Sequence, residues 1–257
     1  MSANFYRLAA PLTALTLMLG GAAVGLAAPA TAPASASAAA PAGKPKKTRQ
    51  VLTPDDIDAS RLLPPPPAEG SDTQKAELAE IHHLIDTVSP ERMAQAKWDD
   101  DHEDTSLFYA TIGNGFDLAK LPATAKLMAV VANDSSVASS RAKSFFARKR
   151  PWAVDPTIKT CDPDDKPLTS YPSGHSIVGY SQAQVLAYLM PAKAQALQAR
   201  AVDYALSREI CGAHYRSDTE ASHVLGSLVA VMLLRKPEMQ PMIEAARAEL
   251  KAAGFTS

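Results

Sequence analysis

The sequence predicts an all-α domain, and three observations carry that expectation. Apolar residues recur at helical spacing, most clearly Leu78, Ile81, Ile85 and Val88. Prolines stand where helices begin or must stop, at Pro90, Pro122, Pro151, Pro191 and Pro237. No stretch alternates apolar and polar residues as a half-buried strand does, and no internal repeat is present.

The elements follow in order. Residues 1–28 open with a short polar stretch containing Arg7, continue as a mostly apolar run and end in small residues, the layout of a secretory signal peptide cleaved after Ala27, Ala28 or Ala30. Pro11 and several threonines interrupt the run, which argues against a membrane anchor. No cysteine lies near the cleavage region, so a lipid-modified cysteine is excluded there. Residues 29–50, rich in Ala, Pro and Ser, bury too little apolar surface to order themselves and are expected to form a flexible leader. Residues 51–257 are then expected to form one catalytic domain.

LLPPPPAEGS (62–71) is stiff and extended ahead of the first helix. Ser89-Pro90 reads as an N-cap followed by proline at the first helical position. Residues 105–116 and 122–133 are expected to be short helices split by Leu121-Pro122, with Gly113-Asn114-Gly115 as a helix-ending turn. Residues 135–150 form a helix that stops before Pro151. Residues 152–172 hold four prolines and no clear period, and so form a long loop; in a compact domain such a loop is functional or pinned. Helices are expected over 175–190, 192–210, 217–235 and 238–253. The apolar centre of the third of these, Val224–Leu234, is too short to span a bilayer.

The formal charge is −1, and loss of the signal with Arg7 and no acid leaves −2, which excludes a general binder of nucleic-acid polymers. Any affinity for anions must be local. In an exported protein the even pair Cys161 and Cys211 predicts a disulfide, which by closing a loop of about 50 residues contributes roughly 4 kcal/mol in the chain-entropy model.

Three separated segments carry candidate chemistry. In KSFFARKRP (143–151), Lys143 and Arg150 are seven apart, two turns of a helix, so both side chains are expected on one face. In YPSGH (171–175), Ser173 and Gly174 open a helix whose unpaired N–H groups suit an anion, with His175 beside it. In SREICGAHYRSD (207–218), His214 and Asp218 are four apart, so a helical segment would let the carboxylate orient the imidazole. Arg208 is off that face, and Gly212 offers a turn. Each segment alone has an ordinary explanation: a basic stripe with Arg141, Arg148 and Lys149, a serine cap, or a helix-end histidine beside an acid. Together they supply three fixed cations, a nucleophile, an acid and an orienter, a complete set for phosphoryl transfer without a metal.

The order Lys143-x6-Arg150-Pro151, Pro172-Ser173-Gly174-His175 and Ser207-Arg208-x5-His214-x3-Asp218 resembles the three-part motif of the type 2 phosphatidic acid phosphatase superfamily, shared with vanadium haloperoxidases. LLPPPPAEGS, AKSFFARKRPW and CGAHYRSD extend the resemblance, over about residues 60–235, to the secreted bacterial class A nonspecific acid phosphatases. Phe146 stands where that class usually has tyrosine, and His223 where arginine is common. The resemblance implies a single-domain helical bundle and a periplasmic or secreted acid phosphatase that needs no cofactor. It implies broad action on small phosphomonoesters (nucleotides, sugar phosphates, aryl phosphates), possible phosphotransfer and a homodimer. By the same resemblance His214 attacks phosphorus, His175 protonates the departing alcohol, Asp218 holds His214, and Lys143, Arg150, Ser173, Gly174 and Arg208 cradle the phosphate. Such roles require His214 neutral and His175 protonated, so their surroundings must push their pKa values apart. Rival readings are a vanadate-dependent haloperoxidase, a lipid phosphate phosphatase and a phosphate-binding scaffold without turnover.

The remaining candidates have structural explanations. DDDHED (99–104) reads as a solvated acidic patch, His82-His83 as structural, His223 as outside the site, and Phe145 and Trp152 as core or pocket wall.

Overall fold

The computed structural model describes residues 51–161 and 166–256; the expected signal peptide and leader lie outside the described residues. All regular elements among the described residues are helical. A single turn, α1 (Ala59–Leu62), precedes the polyproline segment, and α2 (Asp72–Thr87) follows it, capped by Ser71, whose hydroxyl accepts the Gln74 N–H. In α3 (Pro90–Asp101) Ser89 caps through the Arg92 N–H and proline occupies the first position, as the sequence predicts. The segment expected as a helix over 105–116 is a 3-10 turn (Thr105–Phe108) leading into α4 (Tyr109–Ile112), after which Gly113 and Gly115 turn the chain at positive φ.

The expected break between residues 133 and 135 does not occur. Residues Pro122–Phe146 form one 25-residue helix, α5. The serines that suggested a new start bond back into the helix: Ser136, Ser140 and Ser144 each donate to the carbonyl four residues earlier, at 2.8, 2.8 and 2.9 Å. Leu121 cannot cap α5 with its side chain. Glu249 of α10 (Gln240–Ala252) does so from across the fold, accepting the Ala123 and Thr124 N–H groups at 2.9 and 2.8 Å. Asp134 in turn accepts the backbone N–H groups of Val51 and Leu52 and so ties the start of the domain to α5.

The long loop contains one helical turn, α6 (Pro151–Val154). Then come α7 (Gly174–Leu189), α8 (Ala194–Ile210) and α9 (Arg216–Arg235). Helix α7 is the centre of the packing, lying against α5, α8 and α9. It is buried on nearly every side, from Ser176 to Leu189, as a helix apolar all round must be. Ile177 and Leu186 are fully buried, and each contributes about 1.5–3 kcal/mol by leaving water. Gly226 lets α9 approach closely, since a Cβ there would stand 2.7 Å from the Ile177 carbonyl oxygen. Phe145, expected in the core or pocket wall, is 63% exposed, because it points away from the side of α5 that packs on α7.

Candidate active site

The ends of the central helices meet at one pocket. Helix α5 ends where Ala147 adopts a left-handed conformation (φ 46°), so Lys143 lies on the helix and Arg150 lies beyond it. The expectation that both share a helical face is therefore wrong, yet the turn still brings them together. The chain returns alongside: the Arg150 N–H donates to the Pro167 carbonyl at 2.7 Å, the Ser170 N–H to the Arg148 carbonyl at 3.1 Å, and Lys143 Nζ to the Thr169 carbonyl at 2.5 Å.

At the end of α8 the chain reverses through Gly212 (φ +61°). The Ala213 and His214 N–H groups both donate to the Arg208 carbonyl, at 3.1 and 3.3 Å, which sets the imidazole beside the arginine despite their separation on a helical wheel. Cys161 and Cys211 form the expected disulfide, and the Cys161 N–H donates to the Cys211 carbonyl at 3.1 Å. The long loop is thus pinned to the turn that carries His214.

Lys143, Arg150, Gly174, His175, Arg208 and His214 line a pocket of about 620 Å³. Ser173 and Asp218 are buried and stand outside that lining. Ser173 caps α7, accepting the Ser176 hydroxyl at 2.9 Å, and its N–H donates to the Asp218 carbonyl at 3.3 Å. The Ser222 hydroxyl of α9 lies 2.6 Å from the Asp218 carbonyl and 2.9 Å from the Ser173 carbonyl, sharing its one proton between them, and ties the two helix starts together.

His214 precedes α9 and is not part of it, so the i,i+4 relation to Asp218 is not the helical one expected. The geometry assigns its tautomer. Arg150 Nη1 lies 3.0 Å from His214 Nε2, and a guanidinium can only donate, so Nε2 carries a lone pair. The proton is on Nδ1, which faces Asp218 Oδ2 at 3.4 Å without a full hydrogen bond.

Asp218 is held far more tightly than it holds His214. Oδ2 accepts the Ser170 hydroxyl at 2.6 Å and the Tyr215 N–H at 2.9 Å, and Oδ1 accepts Arg148 Nη1 at 2.6 Å. Arg148 also pairs with Glu77 at 2.8 Å and stacks on the Tyr215 ring at 3.8 Å. All three charges are buried. Arg148 is not a member of a solvated stripe; it clamps the Asp218 carboxylate. Its sequence neighbours, Arg141 and Lys149, concealed this, and Glu77 is 141 residues from Asp218.

The run DDDHED is only in part the solvated patch expected: Asp101, Glu103 and Asp104 are exposed, while Asp99 and Asp100 are turned inward. Asp99 is buried against Arg200 and the Ser207 hydroxyl. Asp100 is paired with Arg208, so that guanidinium meets any incoming anion already engaged. The Asp100 carbonyl lies 3.0 Å from His175 Nε2. A carbonyl only accepts, so Nε2 bears the proton, and Nδ1 lies 3.9 Å from Glu103 Oε1. Trp152 lines the pocket as expected, while His223 is exposed and stacks on Tyr180 away from it. His82 pairs with Asp155 at 2.9 Å.

Burial is the first cause lowering both imidazoles well below the ordinary histidine value. Arg150, Lys143 and Arg208 lower His214 further; Arg208 also lowers His175, against which the Asp100 carbonyl acts. The expected divergence of the two pKa values is thus not intrinsic to the pocket walls: both rings are pushed the same way. Burial, then Arg150, brings Lys143 down to about 7.

Residues 123–241 match the PAP2 superfamily. The acid phosphatase of Zymomonas mobilis is 32% identical over 198 residues, covering 74% of this chain and 75% of that protein. The chain belongs to the PAP2 superfamily. The non-specific acid phosphatase of Providencia stuartii is 30% identical, covering 75% of this chain and 81% of its own. A crystal structure of a transmembrane PAP2-type phosphatidylglycerolphosphate phosphatase from Bacillus subtilis shares the fold, with a TM-score of 0.51 at 17% identity over 67% of this chain and 87% of that one. Every position of the three-part motif falls inside the PAP2 match, whereas Glu77, Asp100 and Glu103 precede it. The acidic wall of the pocket, Asp100 near the end of α3 and Glu103 just beyond it, lies N-terminal to the PAP2 span.

Proposed function

We propose that this chain is a phosphoric monoester hydrolase, a secreted acid phosphatase acting through a phosphohistidine. The observation that carries the reading is His214 Nε2: a lone-pair nitrogen beside Arg150, in a pocket that also holds Lys143, Arg208 and a second imidazole. Nε2 attacks phosphorus as the ester P–O bond breaks, and the leaving oxygen takes the proton from His175 Nδ1. Water then attacks phosphorus, its proton passes to His175 Nδ1, and the P–N bond breaks. Lys143, Arg150, Arg208 and the α7 amides at Gly174 neutralise the equatorial oxygens, a task that in this reading needs no metal. Ser173 sets the first turn of α7, and Asp218 holds Nδ1 of His214. A bound phosphate dianion raises both lowered imidazoles by its charge; Arg208 and Lys143 oppose this at both rings, and Arg150 opposes it at His214 in addition. Names of the relatives support small phosphate esters as substrates, and no helix among the described residues is long and apolar enough to cross a membrane.

The test is hydrolysis of p-nitrophenyl phosphate by the purified chain in EDTA, with rapid acid-free quenching to trap labelled phosphate. Acid-labile, base-stable label on His214 is the expected result. Turnover lost in EDTA and restored by zinc or magnesium, or label on a serine, would overturn the mechanism.

A pH dependence follows from Lys143. It must be protonated to hold an anion, and with its pKa at about 7 the cation is present below that pH and lost above it. The value of kcat/KM is expected to fall as pH rises through about 7, and Lys143→Arg to move that limb upward by a unit or more. A pH profile of both proteins checks this; coincident limbs would assign the fall to another group.

A further inference from the structure

We propose that Glu103 makes the leaving-group side of the pocket selective against substrates that carry a second anionic group, favouring phosphomonoesters of neutral polyols or cationic amino alcohols. The proposal rests on the phosphatase reading above. His175 Nδ1 marks the side on which the alcohol departs, and Glu103 Oε1 is 3.9 Å from that nitrogen. The same carboxylate oxygen lies 3.6 Å from the point where a Cβ on Gly174 would stand, with Lys143 Cε at 3.7 Å and Ser139 Oγ at 3.3 Å from that point. It therefore sits over the α7 start, at the edge of the cationic cradle, and the departing group must pass it. Asp100 is paired directly with Arg208; among the described residues Glu103 has no arginine or lysine within salt-bridge distance, but burial pushes its carboxyl above the usual range and the nearby Arg208 and Lys143 act against that and keep it anionic.

Beyond Lys143, the α5 side of that wall is uncharged. Ser136, Ser140 and Ser144 line the pocket along α5 but spend their protons on helix carbonyls, leaving oxygen lone pairs toward a ligand. Lone pairs and a carboxylate accept hydrogen bonds from hydroxyl or ammonium groups and repel a second phosphate or carboxylate. Lys166 lines the opposite rim and is exposed; Glu103 is partly exposed as well, so salt screens both charges, and Glu103 is distinguished by standing 3.9 Å from His175 Nδ1.

The experiment compares kcat/KM for 3-phosphoglycerate, glycerol 3-phosphate and phosphoethanolamine at neutral pH in wild type and Glu103→Gln. A second anion about 7 Å from a carboxylate at an effective dielectric of about 40 predicts that the substitution raises the ratio of 3-phosphoglycerate to glycerol 3-phosphate about five- to tenfold and lowers that of phosphoethanolamine. The ratios are internal to each protein, so a general loss of rate does not affect them. Calorimetric binding of phosphonoacetate and 2-aminoethylphosphonate gives the same comparison without turnover: the preference for the amine is expected to shrink by a similar factor in Glu103→Gln. Failure to hydrolyse any ester would refute the phosphatase reading and leave the binding comparison to decide this one. Unchanged ratios in both assays, or ratios that respond to Lys166→Met and not to Glu103→Gln, would overturn the proposal.

Discussion

His214→Ala is expected to reduce turnover of p-nitrophenyl phosphate by about 10⁵-fold or more, the scale on which loss of a covalent nucleophile is felt. The reason lies in the alternatives available to the pocket. His175 is the one other imidazole among the pocket-lining residues, and its Nε2–H is tied to the Asp100 carbonyl while its Nδ1 is needed for the leaving oxygen. It cannot take over attack without surrendering the acid. The fold should survive, because His214 reaches the pocket from a turn fixed independently by the disulfide and by the hydrogen bonds to the Arg208 carbonyl. Far-UV circular dichroism and the thermal midpoint check that, and the trapped phosphoenzyme must vanish with the activity. Residual turnover within about a hundredfold of wild type would remove His214 from the nucleophile's role.

Arg148→Met is expected to have the largest effect on stability. It leaves the buried carboxylates of Asp218 and Glu77 without their shared cation, and breaking a buried pair by removing one partner costs about 3–5 kcal/mol. In a domain of this size that lowers the thermal midpoint by about 10 °C. Adding Glu77→Gln to the same chain should recover part of the loss, since one of the two orphaned charges is then gone; this double variant separates the electrostatic cause from lost stacking on Tyr215. Activity reports the second role. With Asp218 held only through Oδ2, by Ser170 and the Tyr215 N–H, its placement against His214 loosens, and kcat should fall on the order of 10²-fold with KM changed much less, because Arg148 does not line the phosphate pocket. An unchanged midpoint, or a KM effect without a kcat effect, would show that the clamp does not position the carboxylate.

The two predictions draw on different kinds of information. His214 was legible because its motif combines residue types that few other chemistries need together. Helix starts at Ser89-Pro90 and Ser173-Gly174 were legible for a similar reason: a cap depends on residues within three positions of itself. The single long α5 was not, because a serine run signals a break only if its hydroxyls look outward, and here they bond within the helix. The buried pairing of Arg148, Asp99 and Asp100 is not legible in the sequence, because a charge looks alike on the page whether water or an opposite charge faces it.

The sequence by itself determined the helical class, the caps and turns, the cysteine pair and the chemical types that meet at the pocket, since each depends on local spacing or on residue identity. Only the tertiary structure decided that Lys143 and Arg150 converge through a left-handed turn, that Asp100 neutralises Arg208, that Glu103 stands beside His175, and that Arg148 bridges Glu77 and Asp218. The physical reason is that the energy of a charge is set by its nearest partners and its distance from water, and in this fold those partners come from helices as many as 141 residues apart in the chain.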